Sequence, residues 1–124
     1  MRLAIQTGLT IATVALLGGN ARAQASYKKA MPDSLAKQAK ISEDAAATTA
    51  RKRVPKGVIQ AVELERENKK LIYSYELKVP GRSGVEEVNV DAVTGKVVAA
   101  EHESPAAERA EQAKDKAKTA VKKP

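Results

Sequence analysis

The sequence predicts an α+β domain: one N-terminal helix packed on a four-stranded antiparallel sheet, followed by a polar tail that is flexible or helical. Three observations predict it. Small and apolar residues at Ala46, Ala50 and Val54 repeat every fourth position and end at Pro55. From Val58 to Glu101 the apolar period changes to two. Breakers at Asn68-Lys69, Pro80-Gly81 and Thr94-Gly95 cut that stretch into runs of strand length.

The chain has 124 residues, which allows one domain at most once its ends are set aside. Residues 1–25 read as a secretory signal. Arg2 gives a positive start, Leu3 to Gly19 is apolar or small, and Ala21-Arg22-Ala23 and Ala23-Gln24-Ala25 are overlapping small-x-small sites, so cleavage is expected after Ala23 or Ala25. A membrane anchor is the competing reading, because the uncharged run is near spanning length, but Gly and Thr thin it. There is no cysteine, which excludes disulfides, thiolate metal sites, a cysteine nucleophile and a lipoprotein anchor. The expected location is therefore the periplasm or the secreted fraction, with no integral membrane segment after processing. Residues 26–40 are polar and basic, interrupted by Pro32, and read as a linker.

Ser42 is suited to cap the helix, since its hydroxyl can accept from a free first-turn N–H. Glu43 and Asp44 suit the positive end of the helix dipole, and Arg51, Lys52 and Arg53 suit its negative end. Ile41 can staple onto Ala46. In the first strand Val58, Val62 and Leu64 share one face, with Ala61, Glu63 and Glu65 on the other. In the second, Tyr73, Tyr75, Leu77 and Val79 alternate with Ser74, Glu76 and Lys78. Val88, Val90 and Ala92 mark the third, and Val97 and Val98 the last. Between these two, Asp91 to Lys96 reads as a hairpin turn in which Gly95 supplies a positive φ and the Asp91 carboxylate caps. Ala50, Val62, Leu64, Tyr75, Leu77, Val88 and Val90 should be buried together. Ser104-Pro105 can start a helix in the Ala/Lys/Glu-rich tail, 104–124, but that helix would be polar all round.

Several of these segments together resemble the PepSY domain over residues 40–103. They are Ile41-Ser42-Glu43-Asp44-Ala45-Ala46, the Val54-Pro55-x-Gly57 stop, Val62-Glu63-Leu64-Glu65, Tyr73-Ser74-Tyr75-Glu76-Leu77-Lys78-Val79 and Val88-Asn89-Val90-Asp91-Ala92-x-Thr94-Gly95-Lys96-Val97-Val98. The family's motif positions map here to Tyr73, Tyr75, Val90, Asp91, Thr94 and Gly95, where a structural role comes first. Two places depart from the family: Ala47 and Thr49 stand where larger aliphatics are common, and Asn68-Lys69 stands where a Gly is common. PepSY-like domains occur in propeptides of thermolysin-type metalloproteases, in germination-related proteins and as small exported proteins. The resemblance implies a module that restrains peptidases.

No catalytic constellation is visible, and neither a metal nor a cofactor is expected. The one histidine, His102, lies between Glu101 and Glu103, which alternation places on the opposite face. Glu63, Glu65, Glu67, Glu86 and Glu87 fall at solvent-facing positions, and Ser42, Ser74 and Ser83 lack a base partner. The net charge of +7 sits in the ends: residues 41–103 carry ten basic and eleven acidic side chains. With no Phe or Trp and three Tyr, stacking platforms for bases are few, which argues against nucleic acid. The expectation is a non-enzymatic binding module for an envelope protein, a peptidase in the favoured version. Sheet edges and Tyr73 and Tyr75 would supply contacts, with Ser74, Glu76 and Lys78 on the solvent-facing side. The alternative is a structural envelope protein held by its basic ends to anionic lipid or cell-wall polymer.

Overall fold

The computed structural model describes residues 26–121; the signal reading, with Ala23 and Ala25, falls outside them. The elements run β1 (Lys28–Ala30), α1 (Asp33–Ala36), α2 (Glu43–Arg53), β2 (Val58–Glu67), β3 (Lys70–Lys78), β4 (Val85–Asp91), β5 (Val97–Glu103) and α3 (Pro105–Val121). All strands join one sheet in the order β1-β2-β3-β4-β5. The α+β class holds, but the expected four antiparallel strands become five in a mixed sheet, because β1 pairs with β2 in parallel.

Helix α2 forms for the reasons its sequence supplies. Ser42 Oγ accepts from the Ala45 N–H at 3.2 Å, and Gly57 N donates to Val54 O at 2.9 Å as the chain turns away. Its buried face is Ala46, Ala47 and Ala50, whose small side chains let the helix approach the sheet closely. They meet Val62, Leu64, Tyr73, Tyr75, Leu77, Val88 and Val90, so the whole expected core group is buried in one cluster. Each large side chain so buried contributes roughly 1.5–3 kcal/mol relative to exposure.

Two local expectations change. Val58 was assigned to the core face, but it is exposed and Ile59 takes its place. A bulge at Gln60 is the reason: Ile59 pairs with Leu77 and Ala61 with Glu76, so the extra residue reverses the alternation upstream. Residues 26–40, expected as a linker, add a strand and a short helix. Tyr27, Met31, Leu35 and Ala39 pack on the core margin, and the N–H groups of Lys40 and Ile41 both donate to Ala92 O, at 2.8 and 2.9 Å. The signal missing from the sequence was a pattern: Lys28, Lys29 and Ala30 are all exposed, so this strand is held by backbone pairing rather than by an apolar face.

The hairpins follow turn chemistry. Asn68 and Lys69 both have positive φ, as a two-residue type I′ turn demands. At the β4–β5 turn Gly95 has φ +77°, and Asp91 Oδ1 accepts from Val93 N at 2.8 Å and Thr94 N at 3.0 Å. Those bonds hold the Asp91 carboxyl below its ordinary range. Thr94 Oγ1 in turn accepts from Lys96 N.

Candidate functional site

A sheet with α2 on one face leaves its second face for other work. Alternation delivers acidic side chains there: Glu63 and Glu65 from β2, Glu76 from β3, Glu87 from β4, and Glu101 and Glu103 from β5. The register makes the accumulation worse than the sequence suggests. Glu76 pairs with Glu87, and Glu87 with Glu101, which puts three glutamates in one row across three strands. Like charges directly opposite are destabilising.

Helix α3 turns back toward this face. Ser104 Oγ accepts from Ala107 N at 3.2 Å and starts it. Glu108, Glu111 and Asp115, at i, i+3 and i+7, share one side and face the strands across a trench of about 510 Å³. Lys118 is the basic residue of its wall among the described residues, and Ser74 and Glu76 are on its floor. Burial, followed by repulsion from neighbouring carboxylates, raises the pKa of Glu65 and Glu76. Burial also raises Glu103, to about 7, with Glu111 and Glu87 adding to it. Glu87, Glu103 and Glu111 each bring one carboxylate oxygen to within 4.8 Å of the others.

The structure separates the sequence-predicted contact residues. Ser74 is half-buried and Glu76 exposed on the acidic face, while the exposed Lys78 binds Gly84 O through Nζ at 2.8 Å. Tyr73 and Tyr75 cannot meet a partner, because both rings lie in the core: they are 2% and 0% exposed. Their hydroxyls serve α2 instead. Tyr73 Oη donates to Ile41 O at 2.7 Å, and Tyr75 Oη bonds Glu43 at both its backbone oxygen and Oε1. Glu43 also accepts from Tyr27 Oη at 2.5 Å and Lys29 Nζ at 2.9 Å. Burial pushes its carboxyl up, but these donors outweigh burial and hold it below its ordinary value. Val90 is buried in the core, and Asp91, Thr94 and Gly95 form the turn.

A second concavity, of about 410 Å³, lies between the end of α2 and β4–β5. Glu86 Oε1 there meets His102 Nδ1 and an Arg82 nitrogen, each at 2.8 Å. Among the described residues its lining contains no hydroxyl or thiol for the histidine to activate. Glu101 and Glu103 point away from His102, as alternation requires.

Sequence reasoning missed the convergence of Glu87, Glu103 and Glu111. The available signal was the spacing of Glu108, Glu111 and Asp115 on one side of a tail helix, which matters only if that helix folds back. No helix among the described residues is long and apolar enough to cross a membrane. A family model described as "Peptidase propeptide and YPEB domain" matches residues 40–101. No curated protein and no solved structure matches significantly.

Proposed function

The chain belongs to the PepSY family, and from that premise we propose that it is an exported, non-enzymatic docking module that restrains an envelope peptidase. One observation carries the reading. The core uses one face of the sheet completely, while the other presents carboxylates from four strands beneath a helix with no buried side chain among those described. Such a face suits a basic surface on a partner, since complementary potentials speed encounter and fix register. The residues proposed to make contact are Ser74 and Glu76, with Glu63 beside them. Lys78 stands at the rim. The signal-like reading of residues 1–25 supports placement in the periplasm or outside the cell.

The test adds the purified chain to the envelope fraction of the producing cell and follows metallopeptidase activity on a peptide substrate. Activity should fall, and the inhibited enzyme should co-elute with the chain at moderate salt. The double variant Ser74→Lys, Glu76→Lys should weaken inhibition roughly tenfold or more, because it sets like charges against the partner. Unchanged peptidase activity would remove this reading. Envelope material captured by the 104–124 segment alone and released by salt would establish charge-mediated attachment instead.

A further inference from the structure

Among the described residues the exposed large apolar side chains are Val58, Val93, Val97 and Val98. Val58 opens β2 at one end of the sheet, opposite Lys78. The other three fall between positions 93 and 98, at the far end, where β4 turns into β5. Single exposed valines are ordinary, but a group at one corner marks a surface with a use. The group has local causes. Val93 rides the turn that Asp91 and Gly95 close, so no neighbouring strand covers it. Val98 sits in a bulge: Asn89 pairs with Ala99 and Val90 with Val97, which leaves Val98 without a partner on β4, and β5 is the last strand of the sheet.

Lysines from three separate segments gather around these valines. Lys96 stands between Val93 and Val97 in the chain. Lys40 is tied to the turn by its N–H, which donates to Ala92 O at 2.8 Å. Lys70 precedes Leu71, whose carbonyl accepts from Ala92 N, and with Arg66, Lys69 and Val93 it lines a hollow of about 250 Å³. All these cations are exposed. Of the carboxylates here, Asp91 is buried and turned to the N–H groups of Val93 and Thr94, while Glu67, opposite Lys70, offsets one charge.

We propose that this corner docks on a membrane surface bearing anionic lipid, with Val93, Val97 and Val98 entering the interface and Lys40, Lys70 and Lys96 on the headgroup phosphates. A bilayer offers both things the corner presents: an apolar layer for the valines, and phosphates for lysines whose stems lie along its boundary. A second copy meeting this corner would set lysine against lysine. A nucleic acid would find no platform for its bases, since Tyr73 and Tyr75 are buried, Tyr27 packs on the core margin, and the chain has no Phe or Trp. The acidic face fixes the orientation, because an anionic surface repels Glu63, Glu65 and Glu76 and leaves the corner to approach. The inference is independent of peptidase docking, which uses that acidic face.

The test uses the chain beginning at residue 26, which carries every described element and leaves out the apolar 1–25 segment, itself able to enter a bilayer. It is mixed with vesicles of phosphatidylglycerol and phosphatidylcholine in equal parts. The chain should sediment with them at low salt, and not with phosphatidylcholine alone. A lysine held near an anionic surface strengthens binding about fivefold, so Lys70→Gln with Lys96→Gln should weaken it roughly twentyfold or more. Val93→Ser with Val98→Ser should weaken it several-fold. These side chains are exposed, so both variants should keep the parent's urea midpoint, and lost binding is then not lost folding. Because the chain has no cysteine, Val93→Cys takes a single environment-sensitive dye. Its emission should move to the blue on vesicles, while the same dye at Glu76→Cys, on the acidic face, should not change. The proposal is overturned by no sedimentation with the mixed vesicles, by equal binding to uncharged ones, or by an unshifted dye at position 93. It is overturned equally by binding of the 104–124 segment alone as tight as that of the chain, the mark of attachment by the tail. Release by inorganic phosphate at constant ionic strength would mark a small-anion site instead, and tighter capture of duplex DNA than of vesicles a polyanion surface; either result removes the lipid reading.

Discussion

Gly84 is held at φ +76°, and a Cβ on it would lie 2.0 Å from the carbonyl oxygen of Glu103. Glycine is required here twice over, by dihedral and by space, because the offending atom is backbone and cannot rotate away. Gly84→Ala should therefore cost at least about 1–3 kcal/mol, the scale of one strained residue, read as a lower urea midpoint. An unchanged midpoint would mean that β4 and β5 do not approach so closely at this end. Gly95 is milder: its φ is +77°, but an added Cβ would meet Ile41 at an ordinary 3.5 Å. At this scale the sequence was informative wherever chemistry is local. The Asp91–Gly95 turn and the Ser42 cap depend on neighbours within a few positions and could be read directly. Ile59 could not, because a bulge is set by how Ala61 fits Glu76 across the strand pair, and the run Val58-Ile59-Gln60-Ala61 carries no mark of it.

Segment 26–40 shows how an element can be invisible and still matter. Its apolar residues, Tyr27, Met31, Leu35 and Ala39, are spread thinly among lysines and around Pro32, yet Tyr27 and Lys29 both reach Glu43, and Met31 and Leu35 cover the edge of the core. A chain beginning at residue 40 should still fold, because the main cluster lies beyond that point. It should lose roughly 2–5 kcal/mol, the scale of removing one well-packed large side chain, measured by urea unfolding beside the chain beginning at 26. Equal midpoints would restore the linker reading. Helix α3 is the opposite case: its start at Ser104-Pro105 was legible, while its position over the sheet was not. Polar helices carry no stripe that says which surface they meet.

At the scale of the molecule, two groups of carboxylates respond to pH in opposite senses. Asp91 and Glu43 have lowered pKa values in the fold. Their contribution is present above the unfolded carboxylate range, about 3.9–4.3, and is lost as pH falls through the lower folded values. Glu65, Glu76 and Glu103 are raised. Their protonation favours the folded arrangement fully below about pH 4.3 and loses its effect as pH rises, for Glu103 through about 7. With divalent ions chelated, amide exchange in α3 should accelerate from mildly acid to alkaline pH by more than the intrinsic chemical rate, while α2 should hold until strong acid. Protection of α3 that is flat across neutrality would show that these carboxylates do not strain it.

The sheet order repeats the chain order. Its consequence is kinetic: each antiparallel pair joins strands adjacent in sequence, so closing entropy is small and the meander can zip from one hairpin to the next. Strand β1 alone breaks this economy. Lys29 must wait for Val62, far downstream, before it has anything to pair with, so the N-terminal strap closes last. On a chain emerging N-terminus first, this strand is out before its partner exists and is the last of the sheet to find its place.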